Sequence, residues 1–507
     1  MTEAAVELTL PINDIVDSIR ETANNKLDKA TRGKLGQFMS TSAVSALLSS
    51  MFDDYSGDLS VLDAGAGVGS LTAAFLDNAL RHNVNSISST CYEISDILTP
   101  YLEETLSLCE ERANLQATLF RSNIFTKDFI EDSVTAIKSP DFTPQYNRAI
   151  LNPPYLKINA KSNERALLSS VNIETGNLYS AFVALAIKQL ADGGELVAIT
   201  PRSFCNGPYF NEFRRLLLDE CSLNKIHVFN SRKSAFKADK VLQENVVFHL
   251  TKGTPQRETV IINSSACAEE HIPTVFEVNF DEVVQPNNSE RFIHIITNTE
   301  EREIANKAGG LPCSLSDLGI QASTGKVVDF RTRDNLSYES VENSVPLIFP
   351  QHLRRSVLTW PLYGGKKPNA LLLNESTQSL LVPNGTYIVT RRLTSKEETR
   401  RIIAAIYHPN TTDADVVAFE NKTNYFHANG QPLDKSLAKG LWVFINSTIV
   451  DKYFRQMNGH TQVNATDLRT LRYPTYEQLI QIGKDFQCEE FNQVHADLVV
   501  SDVLNFN

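Results

Sequence analysis

Val61-Leu-Asp-Ala-Gly-Ala-Gly-Val-Gly-Ser-Leu71 decides the fold. An apolar run leads into glycines at 65, 67 and 69, and helical periodicity follows, which is the strand–turn–helix opening of an α/β unit. Because residue 70 is Ser, the spacing is G-x-G-x-G and not the G-x-G-x-x-G of pyrophosphate sites, so an adenosine-like ligand without phosphates fits better. Working outward, further strands read as Ser89-Thr-Cys-Tyr-Glu93, Ala117-Thr-Leu-Phe120, Arg148-Ala-Ile-Leu151, Glu195-Leu-Val-Ala-Ile-Thr200, Lys225-Ile-His-Val-Phe229 and Glu244-Asn-Val-Val-Phe-His-Leu250. Helical spacing over 71–80, 97–112, 179–191 and 209–221 supplies the crossovers. The expected fold is α/β: a doubly wound, mostly parallel seven-stranded sheet.

The chain has 507 residues, 48 Lys+Arg against 60 Asp+Glu, and a net charge of −12. That length predicts several domains with self-sufficient cores. Seven scattered cysteines without a CxxC spacing point to reduced thiols and away from a zinc site; no metal is expected. Glu3, Glu7 and Pro11 do not resemble a signal peptide, and no apolar run approaches the ~20 residues of a membrane span, so a soluble cytoplasmic protein is expected. The charge is uneven, however: between 350 and 401 nine Lys/Arg face three Asp/Glu. Ile12, Ile15, Val16 and Ile19 mark a short amphipathic helix that needs a surface to lie on. The expected boundaries are an N-terminal helical segment over 1–33, the sheet domain over 34–252, and a mixed α+β domain over 253–507, the last including a helix over 435–457 ended by Asn458-Gly459.

Glu93 closes the second strand, where a carboxylate can accept from both hydroxyls of a ribose. Asn152-Pro-Pro-Tyr155 follows the Ala149-Ile-Leu strand, beyond a carboxyl end, where open α/β sheets bind ligands. Two rigid prolines hold the Asn152 side-chain oxygen and the Pro153 carbonyl so that both can accept from one planar NH2 group. The nitrogen lone pair is thereby drawn out of conjugation and can attack an electrophilic methyl, while Tyr155 stacks on the ring that carries the amino group.

With these residues the chain resembles the gamma class of amino-methylating DNA methyltransferases, S-adenosylmethionine-dependent N6-adenine enzymes of type II restriction–modification systems. The resemblance implies cofactor contacts from Gly36, Gln37, Phe38 and Thr41 in an opening motif, and from Asp63, Ala64, Gly65, Gly67, Gly69 and Leu71 in the glycine turn. It also implies the ribose-binding Glu93, adenine-ring contacts from Asn123 and Ile124, and cavity walls from Asn152, Pro154, Tyr179 and Phe182. Asn152, Pro153, Pro154 and Tyr155 are then the catalytic tetrapeptide, with Phe236 as a second residue stacking on the target base. Asn123 stands where the family usually has Asp, and Thr41 where Pro is common.

Asn458-Gly-His-Thr-Gln-Val-Asn-Ala-Thr-Asp-Leu-Arg469 resembles a motif of target-recognition domains, which makes His460, Gln462 and Asn464 expected DNA contacts. Arg202, Arg232, Lys233, Lys237, Arg354, Arg355, Arg391 and Arg392 are further expected contacts, on charge alone. The implied partner is double-stranded DNA, with the target adenine flipped out of the helix. Only some thirty residues precede Gly36, so the cognate restriction endonuclease is expected to be a separate chain and a monomeric enzyme is expected. N4-cytosine methylation, methylation of RNA or of protein amides through the same tetrapeptide, and a non-catalytic DNA-specificity module are the competing readings.

Overall fold

The computed structural model describes residues 11–27, 39–229, 244–270, 272–286, 288–395, 397–459, 461–488 and 490–506. Two compact units divide the chain, 1–297 and 298–507. In the first, all seven strands read from the sequence form: β1 (Gly57–Ala64), β2 (Val84–Tyr92), β3 (Leu119–Phe125), β4 (Tyr146–Leu151), β5 (Leu190–Pro201), β6 (Cys221–Phe229) and β7 (Asn245–Lys252). Their order is β3-β2-β1-β4-β5-β7-β6, with β1 to β5 parallel and β7 antiparallel to both its neighbours. The strand order reverses between β1 and β4, which pair at Leu62↔Ala149. The glycine turn and the Asn152 tetrapeptide therefore leave the sheet side by side, at its topological switch point.

The sheet does not stop at the expected boundary of 252. β8 (Thr259–Ser265) pairs in parallel with β6, and β9 (Thr274–Asn279) pairs antiparallel with β8, so that nine strands form among the described residues and the unit runs to Thr297. The polar stretch after β7 is a reversal inside the unit and not a linker. Gln256 bonds back to β6, accepting from Leu223 N at 2.8 Å and donating to Leu223 O at 2.9 Å.

Nor does the N-terminal helix, Ile12–Lys26, form a separate segment. Its Ile12 and Val16 join the main core, while Ile19 and Ala23 pack with Val68 and Leu98 behind the glycine turn. The helix Ser70–Ala79 is buried nearly throughout. It starts at Gly69, whose φ of +84° is left-handed and whose missing side chain leaves room for Leu102; a Cβ there would lie 2.9 Å from Leu102 Cδ1.

The second unit is mixed α+β, with an antiparallel sheet of Gln321–Thr324, Thr423–His427, Tyr387–Arg391 and Ala404–Tyr407, in that order, and a separate five-stranded sheet. The helix expected over 435–457 is two helices, Lys435–Ile445 and Thr448–Met457. Asn446 breaks it, because its Nδ2 donates to Ala404 O at 3.0 Å and to Trp442 O at 2.9 Å, and the backbone turns where Asp497 accepts from Thr448 N at 2.6 Å. Lys435–Ile445 crosses Tyr476–Asp485 closely at Gly440, where a Cβ would lie 1.8 Å from Leu479 O. No helix among the described residues is long and apolar enough to cross a membrane.

Candidate active site

Gly65, Gly67, Leu71, Glu93, Asn152, Pro154 and Phe182, all expected from the sequence, line one cavity at the switch point. Gly65 and Gly67 have φ of +82° and +59°, and Gly65 N and Ala66 N both donate to Tyr92 O at 2.9 Å, so the turn is tied to the end of β2. The Glu93 carboxylate is buried; Oε2 accepts from Gly67 N at 2.9 Å and Oε1 from Ser95 N at 2.8 Å. Burial raises its pKa against these backbone donors. Each oxygen keeps a further lone pair, which suits a vicinal diol. Phe129 and Phe182, with ring centroids 4.9 Å apart and planes inclined at 47°, make an apolar wall.

The geometry of Asn152 is set from two sides. Its Nδ2 donates to the buried Ser40 Oγ at 3.0 Å, and Tyr155 Oη lies 3.3 Å from Asn152 Oδ1 and 3.3 Å from Ile199 O. The Ser40 and Tyr155 hydroxyls, which can each donate or accept, hold the amide from both ends. Oδ1 can accept from Tyr155 and from one further donor, and the Pro153 carbonyl accepts no hydrogen bond from the described residues. Asn152 itself lines the cavity. Behind Tyr155 stands Tyr179, 6.2 Å away edge-on and stacked on Phe210 at 5.5 Å. Burial raises the pKa of both phenols, which keeps them protonated.

Other expected contacts lie elsewhere. Asp63 is fully buried beneath the turn, where its Oδ2 accepts from Thr72 Oγ1 at 2.8 Å, and burial pushes its pKa up to about 7. It and its neighbour Ala64 support the cavity and do not line it. Asn123 is exposed on the edge strand β3, and neither it nor Ile124 borders the cavity; the wall there is Lys127 to Ile130, one turn later. β3 ends at Phe125, and Asp128 caps the helix Phe129–Ile137 by accepting from Ile130 N at 2.8 Å, which swings this segment inward. The Asp-Phe-Ile start at 128 was a readable helix signal that the sequence analysis passed over. Ser40 and Met39 also line the cavity without having been singled out, whereas Thr41, beside them, caps the helix Ser42–Ser50. Gly36, Gln37, Phe38, Arg232, Lys233, Phe236, Lys237 and His460 lie outside the described residues.

Several expected DNA contacts have protein partners. Arg202 pairs with Glu244 at 3.4 Å and ties the end of β5 to the start of β7. Arg391 pairs with Glu398 at 3.3 Å. Arg392 donates to Asn421 O at 3.2 Å and to Asn464 Oδ1 at 3.3 Å. Asn464 is buried and makes a capping box with Asp467 at the start of Ala465–Thr470, while Gln462, Arg354 and Arg355 are exposed. Asp53, Glu195 and His249 also lie close enough together to suggest a metal. Lys225 and Arg257 already neutralise Asp53 at 2.6 and 2.9 Å, and Arg148 approaches Glu195 at 3.4 Å, so the cluster reads as an ion-pair network.

Similarity to known proteins agrees with this architecture. The Eco57I restriction-modification methylase family matches residues 73–236. The chain is 64% identical over 504 residues to the type II methyltransferase M.PstI of Providencia stuartii, covering 99% of each. It is 44% identical over 501 residues to the type II methyltransferase M.BsuBI of Bacillus subtilis, covering 97% of this chain and 98% of that one. Among solved structures, the DrdV–DNA complex gives a TM-score of 0.48 at 12% identity, covering 93% of this chain and 59% of that one.

Proposed function

Since the chain belongs to the type II methyltransferases of restriction–modification systems, we propose that it methylates N6 of an adenine in double-stranded DNA, at a specific sequence, with S-adenosylmethionine as donor. The observation that carries this reading is the Asn152 amide, held by Ser40 and Tyr155 at the wall of a cavity whose lining suits a nucleoside. The cofactor suits that cavity: left-handed glycines admit close backbone approach, Glu93 suits the ribose hydroxyls, and the Phe129–Phe182 wall suits a flat purine. When bound, S-adenosylmethionine supplies an electrophilic methyl group.

The chain's own residues do the rest. Asn152 Oδ1 and Pro153 O accept the two hydrogens of the target amino group, turning the nitrogen lone pair toward the cavity, and Tyr155 stacks on the base. An adenine within a duplex cannot reach these groups, so the base leaves the stack to enter. The first unit is then the catalytic body and the second the target-recognition body. The natural partners are duplex DNA and a restriction endonuclease of the same specificity on a separate chain, which the modification protects against. A monomer acting in the cytoplasm suffices, because the two strands of a site can be modified in separate events.

Transfer of labelled methyl from S-adenosylmethionine to unmethylated DNA, followed by nucleoside analysis, tests the reading. Label in N6-methyladenine is expected. Label in N4-methylcytosine would overturn the base assignment, and no label in any DNA would overturn the DNA reading.

A further inference from the structure

In the second unit the motif expected to touch DNA is turned inward at Asn464, which leaves open which surface docks the duplex. Resting on the reading that the substrate is DNA, we infer that the docking face is formed by two other loops, 328–338 and 359–367, presenting Phe330, Arg331, Arg333, Tyr338, Tyr363 and Lys366.

Exposed aromatic rings are the first reason. Phe330, Tyr338 and Tyr363 are 67%, 59% and 71% exposed, and they are three of the four exposed aromatic side chains among the described residues of this unit. Rings gathered in water beside arginines are the composition of binding anchors. The two loops are separate in sequence, and a buried polar hub joins them. Asn369 donates through Nδ2 to Tyr338 O at 2.8 Å and to Leu362 O at 3.2 Å. Its Oδ1 accepts from Leu362 N at 2.9 Å and pairs with His352 Nε2 at 3.0 Å, while its backbone oxygen accepts from Trp360 Nε1 at 2.8 Å. Burial lowers the His352 pKa to about 4, so the ring is neutral; Nδ1 accepts from Phe349 N at 2.9 Å and Nε2 is the donor to Asn369. Every polar group of the hub is engaged, and the loops are held in place before any ligand arrives.

Charge is the third reason. Asp329, one of two acids inside the first loop, is neutralised by Lys367 and Lys422, each at 3.0 Å, which lowers its pKa to about 2. Arg331, Arg333 and Lys366 are exposed and take part in no ion pair. Asp334 and Glu339 lie exposed between and beside them, so the cations form separate points and not a uniform field. Point cations at the margins of rigid aromatic rings suit a duplex, with cations on phosphates and rings or arginines at base edges.

The test uses the full chain with unmethylated plasmid DNA. Arg331→Ala with Lys366→Ala is expected to weaken DNA binding at least tenfold and to reduce the slope of log affinity against log salt by about 1 to 2, since each lost phosphate contact removes about 0.9. Tyr363→Ala is expected to lower kcat/KM for DNA at least tenfold. S-adenosylmethionine affinity and melting temperature, unchanged in both, would show that the protein is folded. Unchanged DNA affinity, slope and kcat/KM in these variants, with the wild type active on the same plasmid, would overturn the docking face alone. A wild type that methylates no DNA would overturn the DNA reading, and the face with it.

Discussion

The carboxyl ends of β2 and β4 present polar side chains to an open cavity, whereas the 458–469 segment of the second unit uses much of its own polarity internally. At the first, Asn152 and Glu93 line the cavity while Ser40, Tyr155 and the Gly67 and Ser95 amides hold them in place. In the second, Asn464 N donates to Asp467 Oδ2 at 2.8 Å, Asn458 Nδ2 donates to Gln462 O at 3.0 Å, and Arg392 reaches Asn464. Both stretches carry a family-like pattern. The pattern marks chemistry where acceptors face a cavity, and architecture where they face their own backbone.

The sharpest way to break this contrast is Asn152→Ala. Losing one of the two proposed acceptors is expected to cut turnover by about 10³-fold, comparable to deleting a preorganised partner of a transition state. S-adenosylmethionine affinity, read by calorimetry, should change no more than a few-fold. Turnover above a tenth of wild type would mean that the amide is not the reacting acceptor. Ser40→Ala comes next in size. It removes one of the contacts that orient the amide, and one orienting hydrogen bond of about 1 kcal/mol corresponds to a several-fold loss in kcat at unchanged KM for DNA. Ser40→Thr, which keeps an oxygen at the same position, should restore most of that loss, and a purely steric role would make the Thr variant worse than the Ala variant.

On the other side of the comparison, Asn464→Ala should act on stability. It removes the cap of Ala465–Thr470 and the acceptor for Arg392, and is expected to cost about 1–2 kcal/mol in urea denaturation. An Asn464→Ala protein of wild-type stability that has lost its DNA affinity would return this residue to base contact and erase the contrast.

Much of the first unit was legible because strand and helix periodicities differ and β1, β4, β5, β6 and β7 carry dense apolar runs. β8 and β9 were missed because Thr259–Ser265 only alternates buried and half-buried residues, Thr274–Asn279 is a largely exposed edge strand, and the polar turn before them imitates a linker. Within the site, Gly65, Gly67, Glu93 and Asn152 were legible because backbone geometry restricts which residues serve there. Ser40 was not, since a serine gains its role only from what tertiary folding places opposite it, and the local cap at Asp128 marks a helix start without showing that the helix borders the cavity. The same reason explains Asn464, whose polarity reads equally well as a contact or as a cap.

The smallest effect expected concerns two fully buried aspartates, Asp63 under the cavity and Asp467 under the 458–469 segment. Asp467 accepts from the backbone amide of Asn464, whereas the partner of the Asp63 carboxylate is Thr72, through its hydroxyl and its backbone. With burial dominant, the folded pKa of Asp63 is pushed up to about 7, above the ~3.9 of an unfolded aspartate. The folded state then binds the proton more tightly than the unfolded one, so this contribution to stability is complete below about pH 4 and is lost as pH rises through about 7. Asp63→Asn, which is neutral at every pH, lacks that component. Its melting temperature relative to wild type, both without cofactor, should therefore rise by a few degrees between pH 5 and pH 8. Parallel curves across that range would mean that Asp63 does not titrate there and that the two buried aspartates are equally well served.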